Sequence, residues 1–235
     1  MKLVSHLIAL LISAAVITIA LICSSALADA ETPPAETCAI ELTEASHGVT
    51  VEIVDEPEQQ PMPMVKLLEL TEEELFSRWP TVIVRGTVSD IKNIKLDAVA
   101  DEISLMRAIV TVTPSSVLRG EVEGDLKILV SCPIDGSFIL EDTETVSAIR
   151  LGMEGIFMVL PYEDDELWEL ENSALRWKDL ADYHFPDGRR YAFLSTEDGL
   201  LYPEWAYPSL KGAQTLDDVE AFVISMIGDV TPVTE

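Results

Sequence analysis

The chain has 235 residues, a formal net charge of −27 and 48% hydrophobic residues. A surface that acidic repels phosphate backbones and anionic lipid heads, which excludes nucleic acid and membrane surfaces as partners. Cations, basic proteins or plain solubility are what it leaves, and the apolar fraction is that of an ordinary globular protein.

The first element is an export signal. Lys2 gives a positive start, and Leu7 to Ile22 is a charge-free apolar run, the two leading parts of a secretory signal peptide. Ala26-Leu27-Ala28 ahead of Asp29 has cleavage spacing, so the cut is expected after Ala28, with Ala28-Asp29-Ala30 as a second register. Retention as a transmembrane anchor is the alternative, because the run approaches the ~20 apolar residues needed to cross a bilayer. Lipidation of Cys23 is disfavoured by Ile22, where the bacterial lipoprotein signal has a small residue. Cleavage removes Lys2 and no acid, which takes the charge to −28, and leaves Cys38 and Cys132. An exported pair permits a disulfide, and two buried thiols are the other reading.

After a proline-bearing lead, Ala39–Thr43 and Val49–Val54 alternate around the turn Glu44–Gly48, which predicts an N-terminal β-hairpin. Pro57, Pro61 and Pro63 then interrupt any ladder, making 29–63 a hairpin and linker. The main domain is expected over 64–228. It opens with a capping box, Thr71 to Glu74, and a two-turn helix through Leu75, Phe76 and Trp79 that ends before Pro80.

Strands dominate the middle of the chain: Thr81–Val88, Met106–Thr113, Leu126–Cys132 and Ile156–Leu160, with a polar stretch at Ser89–Glu102 between the first two. Glu163–Glu166 reads as a turn into Leu167–Leu170, closing a further hairpin. Near the C-terminus, Thr215 and Asp218 mark another helix start, and Leu216, Val219, Phe222, Val223, Met226 and Ile227 recur at helical spacing as far as Gly228. The tail 229–235 is expected to be disordered.

Taken in order, Trp79–Val88, Arg107–Gly120 and Gly152–Leu160 carry a strand with R-G-x-V, one ending in L-x-G, and a G-x-x-x-x-F-x-x-L return. Over about residues 70–205 this resembles small exported bacterial proteins with an OB-like barrel, the shape of netrin-like and metalloproteinase-inhibitor domains, most of them without an assigned function. The resemblance implies a mainly β fold with flanking helices: a five-stranded OB-like barrel plus the N-terminal hairpin and the C-terminal amphipathic helix. It does not imply inhibition through zinc, because those inhibitors chelate through an N-terminal Cys-x-Cys, and the mature start Asp29-Ala30-Glu31 has no cysteine.

Catalytic and metal constellations are sparse in the sequence. Only His47 and His184 remain after the leader, and His184, flanked by Asp182 and Asp187, reads as an exposed turn histidine rather than a triad base. Histidines and cysteines do not cluster as zinc ligands, and Glu163–Glu166 lacks the regular calcium-loop spacing, so neither metal nor cofactor is expected. Nine of the fifteen aromatics fall between Trp168 and Tyr207. Most of these fit a core, and Tyr202, Trp205 and Tyr207, bracketed by Pro203 and Pro208, are the candidate binding aromatics. The leading expectation is a secreted, non-enzymatic binding or structural module for an unknown extracellular or cell-surface ligand. A secreted hydrolase with a glycosidase-like carboxylate pair is one alternative, and a peptidase inhibitor, by fold analogy, a second.

Overall fold

A computed structural model of the protein describes residues 39–57, 66–134 and 143–228. The export signal with its cut after Ala28, Cys38, the prolines at 61 and 63 and the tail 229–235 lie outside these residues. No helix among the described residues is long and apolar enough to cross a membrane.

The architecture is mainly β, with a large sheet and a C-terminal helix. Ten strands occur among the described residues: β1 (Thr50–Ile53), β2 (Val82–Ala98), β3 (Ile103–Arg119), β4 (Leu126–Val130), β5 (Glu154–Pro161), β6 (Leu167–Glu169), β7 (Ala174–Arg176), β8 (Tyr183–His184), β9 (Ala192–Thr196) and β10 (Gly199–Leu201). Among the same residues two α-helices flank them, α1 (Glu72–Ser77) and α2 (Leu216–Gly228). The eight-stranded sheet runs β1-β2-β3-β4-β8-β5-β9-β10, and β2 also pairs with β5. The hydrogen-bonded pairings therefore follow a circuit, β2 to β3 to β4 to β8 to β5 and back to β2. Its one parallel step is β4 to β8.

The expected polar break at Ser89–Glu102 is not a break: β2 continues to Ala98, and its partner β3 begins at Ile103. The physical reason is alternation. Ile94, Leu96 and Ala98 are fully buried while Lys95 and Asp97 between them form an ion pair of 2.8 Å on the opposite face. A charged outward face looks like a loop in sequence until a partner strand is known.

The N-terminal run also finds a distant partner. β1 pairs antiparallel with the far end of β2, Val51 opposite Leu96, and its contact with the preceding run is a single bridge, Ala39 to Glu52. This segment belongs to the same compact unit as the sheet. The hairpin expected across Glu163–Glu166 is redirected too: β6 pairs with β7, and β5 pairs with β2, β8 and β9.

Both helix starts form as local chemistry dictates. The Thr71 hydroxyl accepts from the Glu74 amide at 3.3 Å while the Glu74 carboxylate accepts from the Thr71 amide at 2.7 Å. Thr215 and Asp218 repeat the exchange at the start of α2.

Three apolar clusters hold these elements. One lies among the circuit strands and includes Val84, Val110, Ile128 and Phe157. A second packs α1, α2 and the 202–210 segment on Ile83, Ile156, Met158 and Phe193. The third packs β1, β7 and Leu180 on Ile94, Leu96, Ile109 and Leu129. Each fully buried Leu, Ile or Phe in them stabilises the fold by about 1.5–3 kcal/mol relative to exposure.

Candidate functional site

The circuit is thinnest at β8, which has two residues. Tyr183 and His184 pair with Ile128 and Leu129 of β4 on one edge, and with Pro161 and Leu160 of β5 on the other. Beside this seam lies a cavity of about 270 Å³ walled by Arg107, Ser131, Tyr162, Trp177, His184 and Asp187, among others. A volume just under the roughly 300 Å³ at which drug-sized pockets begin fits a small ligand.

Strand alternation places Arg107 here. On β3 the even residues Ala108, Val110 and Val112 join the cluster among the circuit strands, while Ile109 joins the cluster under β1 and β7. Arg107 shares the register parity of Ile109 and so stands on that second face. Its guanidinium donates to the Met106 carbonyl at 2.9 Å. Among the described residues no carboxylate pairs with it. Burial pulls its ionisation below the usual arginine value, with the neighbouring Cys132 and Tyr162 pulling the other way.

The same wall carries part of a stack of rings. The His184 imidazole lies 4.6 Å from the Tyr162 ring, Tyr162 lies 5.8 Å from Trp177, and Trp177 lies 5.9 Å from Trp168, all near-parallel. Tyr162 is thus stacked against two rings. Burial pushes its phenol above the usual tyrosine range, and Glu166 pushes the same way, so it stays neutral. His184, expected in an exposed turn, is a half-buried strand residue whose Nδ1 lies 3.1 Å from the Phe185 carbonyl oxygen.

The acid on the cavity wall is already engaged. Asp187 accepts from the Arg190 side chain at 2.6 and 2.9 Å and from the amides of Arg189 and Arg190 at 3.0 and 2.9 Å. Arg190 is buried, so this pair is shielded from water. Among the described wall residues the charge left without an ion partner is that of Arg107.

The other candidates lie elsewhere. Tyr202 is buried and donates to the Leu210 carbonyl at 2.8 Å, and Tyr207 is fully buried and donates to the Arg190 carbonyl at 2.5 Å. Trp205 alone of the three faces solvent, 59% exposed, with the Arg189 guanidinium 5.3 Å from its ring centre. The trio therefore does not form a common face. Cys132 is fully buried just past the end of β4, and its candidate partner Cys38 lies outside the described residues. His47 is exposed and exchanges backbone hydrogen bonds with Ala174 at 2.8 Å, far in sequence from His184. Within the acidic turn, Asp164 meets Lys178 at 2.5 Å. Among the described residues no group of three His, Cys, Asp or Glu side chains is placed to hold a metal ion.

Sequence reasoning singled out His184 but not Arg107 or Tyr162. The available signal was Arg107 itself, a full charge at the head of a dense β-branched run, Ala108-Ile-Val-Thr-Val112. No family model matches this chain, and no curated protein or solved structure matches it significantly.

Proposed function

We propose that this protein is an exported binding module, built on an OB-like five-stranded barrel and acting outside the cytoplasmic membrane on a small ligand. The cavity beside β8 carries this reading: it is preformed, of ligand size, and combines one guanidinium with a wall of stacked rings, the mix of a few polar groups and aromatic surface that small-molecule sites use. The barrel reading is supported by the pairing circuit of β2, β3, β4, β8 and β5 with its single parallel step. Export is supported by the apolar run Leu7 to Ile22 and the cleavage spacing at Ala28.

Two measurements test it. Intact mass and N-terminal sequencing of the protein recovered from a secreting culture should give a chain beginning at Asp29, whereas a chain retaining Met1 in the membrane fraction supports the anchored alternative. Binding of small ligands to the full-length mature protein should perturb the emission of Trp177 in the cavity wall, and saturable turnover of chromogenic glycosides or esters would replace the binding module with a hydrolase.

A further inference from the structure

We infer that Arg107 is an anion anchor and that the cavity beside β8 takes a small carboxylate, a deepening that rests on the binding reading above. Three observations converge on this. Arg107 lines the cavity with one internal acceptor, the Met106 carbonyl, and among the described residues no acid neutralises it. Among the described residues Arg119 is also a half-buried arginine without an acid partner, but its guanidinium is taken up by the Thr81 and Phe76 oxygens, whereas that of Arg107 has only the Met106 carbonyl and lines the cavity. The acid among the described wall residues, Asp187, is held by Arg190 and two backbone amides.

The ring wall favours the same sign of charge. Tyr162 stacks against two rings, His184 and Trp177, so its faces are engaged by its neighbours and its edge is the part we assign to a ligand. Ring edges carry the positive part of the aromatic quadrupole. A guanidinium that forks two parallel N–H groups toward a planar carboxylate, next to ring edges, is a recognition geometry for a carboxylate on a small apolar body. The Ser131 residue on the same wall adds a polar group at the rim.

The test uses the full mature chain and compares matched ligands differing only in charge: acetate against acetamide and benzoate against benzamide, with inorganic phosphate as a separate arm, followed by calorimetry and by Trp177 emission. The expected result is that a carboxylate binds at least about tenfold more tightly than its amide, the size of one charge-assisted bidentate contact, and that Arg107→Gln removes this preference while Arg107→Lys keeps part of it. Melting curves of both variants show whether they are folded, and the wild-type comparison of acid with amide stands without either. Amides binding as well as acids would overturn the anion anchor and leave the binding module standing. Phosphate binding that excludes both carboxylates would replace the carboxylate with an inorganic anion. A preference that persists in Arg107→Gln would place the anchor elsewhere, and failure of every ligand to bind would overturn both readings together.

Discussion

Gly86 and Gly155 are register partners across the β2–β5 pairing, and neither has room for a side chain. A Cβ on Gly86 would lie 2.6 Å from the Thr113 carbonyl oxygen, and one on Gly155 would lie 2.8 Å from that of Phe193. The constraint is one of space, since neither glycine needs a left-handed backbone. At Gly86 the β2–β3 register slips while β5 approaches the other edge, so three backbones converge where the strand bends. The close approach lets β2 pair on both edges, which the return of the circuit to β2 requires.

Alanine at either position should therefore cost about 1–3 kcal/mol through overpacking against backbone that cannot retreat, lowering Tm by roughly 2–12 °C for a domain of this size. Gly124→Ala is the matched control for space, because nothing lies within 4 Å of a Cβ there, although its φ of +76° adds a backbone penalty. Thermal melts of the three variants check the ranking by comparing the two strand glycines with each other and with the turn glycine.

The Arg85 guanidinium ties α2 to the sheet. Its Nε meets Glu154 at 2.8 Å, and its Nη1 meets Asp217 at 2.6 Å and Glu220 at 2.9 Å. The hydrogen bonds it donates to Glu220, Asp217 and Glu154 raise its ionisation above the ordinary arginine value. The Asp217 side chain is 82% exposed and that of Glu220 25%, so the contacts differ in worth. Asp217→Asn should cost less than about 1 kcal/mol and lose its effect in 1 M salt, while Glu220→Gln should cost about 1–3 kcal/mol with weaker salt dependence. Urea unfolding at low and high salt distinguishes them.

Tyr207, offered by the sequence as a binding aromatic, acts in the second apolar cluster. Its ring lies 4.8 Å from Phe193 and 6.1 Å from Phe76, and its hydroxyl, which burial keeps far from ionising, donates to the Arg190 carbonyl. Tyr207→Phe leaves that carbonyl short of a buried donor and should destabilise by about 1–2 kcal/mol without altering ligand binding at the cavity. Trp205→Ala should do the reverse of a core truncation and leave Tm nearly unchanged, since the ring faces solvent.

Features written within a few residues were legible. The capping box at Thr71, the helix start at Thr215 and the helical spacing of Leu216, Val219 and Val223 each depend on neighbours in the chain, and the fold uses them as read. What escaped was set by partners far away. Lys92 to Asp97 looked polar because Val49, Val51, Leu175 and Leu180, which pack on its buried face at Ile94 and Leu96, lie far away in sequence. The cavity escaped for the same reason: Arg107, Tyr162, Trp177 and His184 come from four separate segments, and nothing in any one of them marks a site.

Asp179 illustrates a tie across 136 residues and gives a clear pH signature. Its carboxylate accepts from the Thr43 amide at 3.0 Å, the Thr43 hydroxyl at 2.9 Å and the Ser46 hydroxyl at 2.7 Å, fastening the N-terminal turn beside Trp177 of the ring stack. The side chain is only 1% exposed. Burial pushes the carboxyl up, but the Ser46 and Thr43 hydrogen bonds and the Arg176 charge outweigh it and hold the group below the ordinary aspartate range. The native state thus binds this proton less readily than the unfolded chain. Its stabilising contribution is complete above the unfolded value of about 3.9 and is lost as pH falls from there through the lower native value. Asp179→Asn should cost about 1–3 kcal/mol at neutral pH, and the gap between variant and wild type should narrow below about pH 4. Denaturant unfolding of both proteins from pH 7 to pH 3 measures that gap, and a difference that stays constant across the range would assign the loss to packing rather than to the carboxylate.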